Sequence, residues 1–283
     1  MSFPRTTVGG VSLPRMLIGS NWILGYSHTT ASADGMIKKR YGEGEKVAEL
    51  LEVYLEHGID ALMAPMTTHP TLIEGVRIAQ ERTGQRITLI DTPILDLHDS
   101  AEARRSVEDV LDKSRKLGCT FCLIHHSSAE QLVSKLHGTM DRLPDYTDMI
   151  RQHGLIPGLS AHMPELIVYS DQNGYDIETY IQIYNCTGFL MQIEIESVHS
   201  IIHNAKKPVM TIKPMAAGRC SPFVGLTFSF STIRERDMVT CGAFTPEEAR
   251  EDIEIALAAI ERRPPDLEGR GSPNKNTAAL SGK

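Results

Sequence analysis

Residues 57–66, HGIDALMAPM, join an amphipathic helix to a short apolar strand. The preceding segment, Glu45 to His57, carries Val47, Leu50, Leu51 and Tyr54 at helical spacing, and Gly58 supplies the stop. The chain then becomes apolar from Ile59 to Met63, with Asp60 near the strand start and Pro65 just past the strand end. A helix that feeds a buried strand is half of a βαβ unit, and the pattern repeats along the chain.

Upstream, residues 6–21 (TTVGGVSLPRMLIGSN) read as a hairpin around Gly9-Gly10 and a strand over Met16–Ile18. A long polar connection follows, from Trp22 to Gly44. Downstream, helix is expected over 70–82, strand over Arg86–Ile90 and helix over Ser100–Leu117, with Ser100 as cap and Gly118 as stop. Phe121–Ile124 is the next strand, followed by helical stretches at Ala129–Leu136 and Tyr146–His153. The segment 154–162 (GLIPGLSAH) reads as strand and leads through Pro164 to a helix ending near Asp171. Strands at Ile177–Tyr184, Val209–Ile212 and Asp237–Thr240 alternate with helices over 190–205, 222–233 and Pro246–Arg262. Eight alternations within about 250 residues are the arithmetic of a single (β/α)8 TIM barrel, here residues 1–263 behind a short N-terminal hairpin. The remainder, 264–283, is rich in Pro, Gly, Ser and Asn, and is expected to be flexible or packed on the barrel or a neighbouring subunit.

Composition narrows the function class. With 41% hydrophobic residues in 283, the chain can bury a large core, and a net charge of -7 opposes binding to nucleic acid or an anionic membrane. The sequence has no run of about 18 apolar residues and no secretory h-region, so a cytoplasmic protein is expected. Five scattered cysteines suit free thiols. Cys119 and Cys122 form a C-x-x-C, but three-residue spacing on a strand sends side chains to opposite faces.

In a barrel of this kind the carboxyl ends of the strands surround the active site. These ends hold Asn21, Met66, Asp91, His125, Ser160, Asn185, Lys213 and Cys241. Of the adjacent His125 and His126, only one is expected to face inward. His125 reads as a general acid/base or metal ligand, or else as a hydrogen-bonded core histidine. Asp60 and Asp91, on adjacent strands near His125, would form a carboxylate cluster that raises pKa values or recruits a divalent cation, with His162 as a further ligand. Lys213, at the end of a buried strand, is a base, a Schiff-base former, a charge anchor or a simple strand ending. Arg219, in the small-residue loop AAGRCSP, suits a phosphate or carboxylate. The loop holding Trp22, Tyr26, His28, Asp34 and Lys38-Lys39-Arg40 reads as a lid for a polar small molecule or as a solvated face.

Taken in order, the strand ends resemble the aldo-keto reductases. The opening hairpin, HGIDAL, CLIHH, PGLSAHMPELI, YIQIYN, IKPMAAGR and VTCGAFTPEEAREDI are similar to that family's successive motifs. The resemblance implies an aldo-keto reductase type barrel, with Asp60 and His125 on the catalytic aspartate and histidine, Ser160 on a carboxamide ligand and Tyr184 on the nicotinamide-stacking aromatic. It also exposes departures. Pro65 stands where the catalytic tyrosine is expected, and no lysine occurs around Ile90 to Thr92. Glu248 and Asp252 take the places of the adenosine-binding arginine and asparagine, unless the register slips to Arg250. A carboxylate facing a 2′-phosphate is repulsive. NAD(P) is therefore disfavoured. The expectation is a non-redox small-molecule enzyme of lyase, isomerase or hydrolase type, acting on a polar, sugar-derived compound. His125, Asp60, Asp91 and Lys213 would carry the chemistry, and Asn21, Trp22, His28, Ser160, Tyr184, Asn185 and Arg219 would bind substrate. A metal, if present, would take Asp91, His125 and His162. The alternatives are a divergent NAD(P)-dependent oxidoreductase and a catalytically silent binding barrel. A homo-oligomer is compatible with either.

Overall fold

The turn at Gly58 shows why the quoted stretch folds as it does. Gly58 adopts φ 73°, its N–H donates to Leu55 O at 2.9 Å, and Ile59 N–H donates to Tyr54 O at 2.9 Å. This paired closure satisfies the last carbonyls of the helix and reverses the chain, and a side chain at Gly58 would be strained. In a computed structural model that describes residues 2–267, the helix is Gly44–Glu56 and the strand that follows is Ala61–Ala64.

The strands are β1 (Arg5–Val8), β2 (Val11–Pro14), β3 (Met16–Gly19), β4 (Ala61–Ala64), β5 (Thr88–Asp91) and β6 (Phe121–Ile124). After them come β7 (Val133–Ser134), β8 (Thr139–Met140), β9 (Ile156–Ala161), β10 (Tyr180–Ile183), β11 (Val209–Ile212) and β12 (Met238–Cys241). The helices are α1 (Asn21–Leu24), α2 (Ala31–Arg40), α3 (Gly44–Glu56), α4 (Pro70–Thr83), α5 (Ala101–Lys116) and α6 (His126–Ala129). They continue as α7 (Leu143–Gln152), α8 (Glu165–Asn173), α9 (Ile195–Asn204), α10 (Pro222–Thr232) and α11 (Pro246–Glu261).

Eight strands close in the order β3-β4-β5-β6-β9-β10-β11-β12, every neighbouring pair parallel. Because strand side chains alternate, the apolar residues separate into two sets. Leu17, Met63, Ile90, Leu123, Ile181 and Met210 fill the barrel, and Val8 and Leu13 of the β1–β2 hairpin close its lower end. The alternate positions, such as Leu62, Cys122 and Leu159, pack outward against the helices.

Two local expectations differ from the structure. The connection over 22–44 is not a loop throughout: it contains α1 and α2, the latter capped by the Thr30 hydroxyl, which accepts from Ala33 N–H at 3.1 Å. Residues 129–136 do not form one helix. A short turn of helix passes into the antiparallel β7–β8 hairpin, which reverses at Gly138, φ 63°. The expectation for 264–283 lies, beyond Leu267, outside the described residues. Up to that point the segment follows α11, with Arg263 paired to Glu254 at 2.5 Å and Asp266 N–H donating to the same carboxylate. Among the described residues no helix is long and apolar enough to cross a membrane.

Candidate active site

A cleft of about 1250 Å³ opens at the carboxyl ends of the strands. Inward positions of the wall form its floor: Gly19, Met63, Ser160, Ile181, Ile212 and Thr240. Above them stand Asn21, Trp22, His28, His125, His126, His162, Lys213 and Arg219. These include most of the side chains that the sequence nominates.

Lys213 follows β11 with φ 61°, a left-handed conformation that lets it leave the strand's alternation. Ala216 and Ala217 in the same loop also have positive φ, so this turn holds backbone that the surrounding packing must enforce. The Lys213 Nζ lies 3.0 Å from His28 Nε2. Burial pulls its pKa down to about 8. Among the described residues no carboxylate forms an ion pair with it, which is why desolvation acts unopposed.

His28 is delivered by the α1–α2 connection. Asp34, in the first turn of α2, accepts from Ser27 N–H at 2.8 Å and from Ser27 Oγ at 2.6 Å, and this clamp holds the turn. Asn21 Nδ2 reaches the same His28 Nε2 at 3.2 Å. An amide and an amine meeting one ring nitrogen are satisfied when that nitrogen is unprotonated. Burial and the Lys213 charge both lower the His28 pKa, in agreement.

Three further histidines line the opposite side. His125 caps α6, and its Nδ1 accepts from Ser127 N–H at 3.3 Å, which leaves Nε2 to carry the proton in the neutral ring. Burial, aided by His126 and Lys213, brings its pKa down to about 4. His126 stacks on His162, with centroids 3.7 Å apart and an interplanar angle of 17°, and lies 4.2 Å from the His125 ring. The His162 pKa falls to about 3, chiefly through burial, then through His126 and Lys213. Glu130 fixes this wall by accepting from His162 N–H at 2.7 Å and Met163 N–H at 3.0 Å. His125 and His126 both line the cleft because the chain turns into α6 there, ending the strand alternation that would have separated them.

Several nominated residues lie elsewhere. Asp60 precedes β4 at the lower end of the barrel, where Arg5 Nη1 pairs with it at 3.0 Å. Asp91 is fully buried and faces outward: it accepts from Met66 N–H at 2.8 Å and from the Ser114 hydroxyl on α5. Its pKa is raised because burial outweighs those hydrogen bonds. Thus Asp60, Asp91 and His125 do not meet, and the set Asp91, His125 and His162 is not assembled. Among the described residues no group of three or more His, Cys, Asp or Glu side chains is placed to hold a metal ion.

Tyr184 also faces outward, 5.1 Å from Phe228 centroid to centroid, with its hydroxyl 3.0 Å from Thr232 Oγ1. Asn185 is buried and occupied in shaping its own loop, accepting from Thr187 N–H and Phe189 N–H and donating to Phe189 O. Arg219 does line the cleft, lying 3.9 Å over the Phe189 ring. At the far end the lining turns acidic, with Glu248, Glu251 and Asp252. Glu248 accepts from Phe244 N–H at 2.8 Å, Asp252 lies 3.6 Å from Cys241 Sγ, and Arg250 turns away to Glu56 at 3.4 Å.

No family model matches the sequence, and neither does any curated protein. Solved structures do match its fold. A putative aldo-keto reductase from Pseudomonas aeruginosa superimposes with a TM-score of 0.62 at 15% identity, covering 90% of this chain and 95% of that one. A thermostable aldo-keto reductase in complex with the inhibitor epalrestat gives 0.60 at 15% identity, with 91% and 97% covered. The barrel is of aldo-keto reductase type. Aldose reductase from Giardia lamblia is similar over 94% of this chain and 90% of its own, with a TM-score of 0.50 at 12% identity. At such identities the likeness concerns the fold, and activity has to be argued from the cleft.

Proposed function

We propose that the chain is a non-redox enzyme that performs acid/base chemistry, of lyase or isomerase type, on a small polar carbonyl compound such as a sugar derivative. The observation that carries this reading is the convergence of Lys213 with His28, His125, His126 and His162 in one cleft at the catalytic end of the barrel. A lysine with a pKa of about 8 exchanges protons near neutral pH, and it stands beside histidines that burial keeps neutral there. Hydrogen-bonding side chains such as Asn21 and Ser160, with Arg219 and the Trp22 ring, suit a polyhydroxylated or anionic molecule.

The nicotinamide cofactor implied by the fold does not fit these residues. The aromatic expected to stack on its ring, Tyr184, is packed outside the wall. Carboxylates occupy the adenosine end, and the one arginine that a shifted register would offer there is paired to Glu56. Pro65 and Thr92 line the cleft just beyond β4 and β5, and neither side chain supplies a phenol or an amine.

Titration of the purified protein with NADPH and with NADH, followed by fluorescence and calorimetry, tests the reading. The expected result is no saturable binding at micromolar concentrations. Tight binding accompanied by hydride transfer to any carbonyl compound would overturn it in favour of a rearranged reductase.

A further inference from the structure

Four features of Lys213 go beyond general acid/base work. Its side chain lines the cleft, its backbone is held in a left-handed conformation, and no carboxylate among the described residues pairs with it. The fourth is the neighbouring ring nitrogen of His28, 3.0 Å away. A lysine serving only as a charge anchor is normally found with an anion or a carboxylate partner. One serving as a nucleophile has to be neutral, with a proton acceptor beside it.

We infer that Lys213 is a covalent nucleophile that forms an imine with the carbonyl carbon of its substrate, while His28 receives the proton released on attack. The inference rests on the non-redox reading above and deepens it, by assigning an aldehyde or ketone as the substrate class. The neutral Nζ lone pair forms the N–C bond, and the carbonyl π pair moves to oxygen, which is protonated by the His28 imidazolium that forms as the attacking nitrogen gives up its proton. The attacking nitrogen gives one proton to His28 Nε2. The hydroxyl of the resulting carbinolamine takes a proton from solvent and leaves as water, and the nitrogen lone pair forms the C=N bond of a cationic imine. The cationic imine then draws electrons from a bond at the adjacent carbon, and a histidine accepts the proton released there. Hydrolysis of the imine returns the amine and the product carbonyl. No oxidant or reductant enters.

The amine's low affinity for protons has the same origin as its reactivity. Burial holds Lys213 near a pKa of about 8, whereas surface lysines titrate near ~10.4. At pH 7.5 its neutral fraction is thus on the order of a hundred times that of an exposed lysine.

Reductive alkylation tests the inference. The purified chain is incubated at pH 7.5 with formaldehyde, pyruvate or dihydroxyacetone, each with cyanoborohydride, and then examined by intact mass and peptide mapping. Formaldehyde fits any cleft that admits water, so steric exclusion cannot mask the amine. The expected result is methylation of Lys213 at least tenfold faster than of the surface lysines, with half-maximal rate near pH 8. At least one larger carbonyl compound should add once, at the same residue. In Lys213→Arg, checked for folding by its thermal melt, the fast site should vanish and the surface lysines react unchanged. Uniform labelling of lysines, or fast labelling that survives in Lys213→Arg, would overturn the imine. Those outcomes leave the acid/base reading standing, since that reading falls only to nicotinamide binding with hydride transfer.

Discussion

Asp91 and Thr92 are consecutive residues at the end of β5, and the pleat sends them to opposite sides of the wall. Ile90 faces the barrel interior, so Asp91 faces the helices. That parity was legible in the apolar run before it, whereas position alone placed Asp91 in the site. Its carboxylate joins three elements by accepting from the Met66 N–H beyond β4 and the Ser114 hydroxyl of α5. Asp91→Ala would leave a buried backbone donor unsatisfied, and should lower the unfolding free energy in urea by about 2–4 kcal/mol. His125 and His162 act in the opposite sense on acid stability. Both are neutral in the fold down to about pH 4 and 3, while an unfolded chain protonates histidine near ~6.5. Below that value the unfolded state binds more protons, so stability should fall as pH drops from 6.5 towards 4. His162→Gln should flatten that part of a melting-temperature profile. An unchanged slope would show that the ring is not held neutral.

Element by element, the sequence was readable where burial imposes a period and obscure where it does not. Helix α3 buries seven side chains and announced itself by spacing, whereas α2 buries only Ile37 and was read as a loop. The end signals of α2 were nevertheless present: Thr30 as cap, Asp34 in the first turn, and Lys38, Lys39 and Arg40 in the last. So lightly anchored an element opens without disturbing the barrel. Its amides should therefore exchange with solvent well before those of α3 in a hydrogen-exchange experiment. Thr30→Ala removes the cap hydroxyl that accepts from Ala33 N–H, a change costing about 1 kcal/mol, and should speed α2 exchange roughly fivefold while leaving α3 unaffected. Because the Ser27–Asp34 clamp links this helix to His28, opening α2 also frees the ring that faces Lys213. The same variant should then slow the labelling of Lys213 relative to the native chain.

At the scale of the whole molecule, the architecture could be read because eight buried strands and their helices recur in order, and no single boundary had to be right. The site was harder, since it depends on which end of each strand a residue occupies. HGIDALMAPM spans the barrel from bottom to top: Asp60 precedes β4 and Pro65 follows it, five steps or ~16 Å apart along an extended chain. A family motif placed at one end of that stretch was therefore assigned a role at the other. Pro65 reaches the cleft, while Asp60 pairs with Arg5 of the hairpin that closes the barrel floor. Both partners are about a third exposed, and Arg5 keeps bonds to Ser12 O at 2.9 Å and Gly58 O at 3.1 Å without the aspartate. Asp60→Asn should consequently cost less than about 1 kcal/mol in denaturant unfolding. It should also leave the NMR titration of His125 and the alkylation rate of Lys213 unchanged, because the barrel interior separates it from both. An aspartate working in the cleft would behave differently. Removing its charge would lower the pKa of each nearby cation further, displacing the Lys213 rate profile to lower pH. A displacement of that kind would return Asp60 to the active site and reverse the polarity assigned to β4.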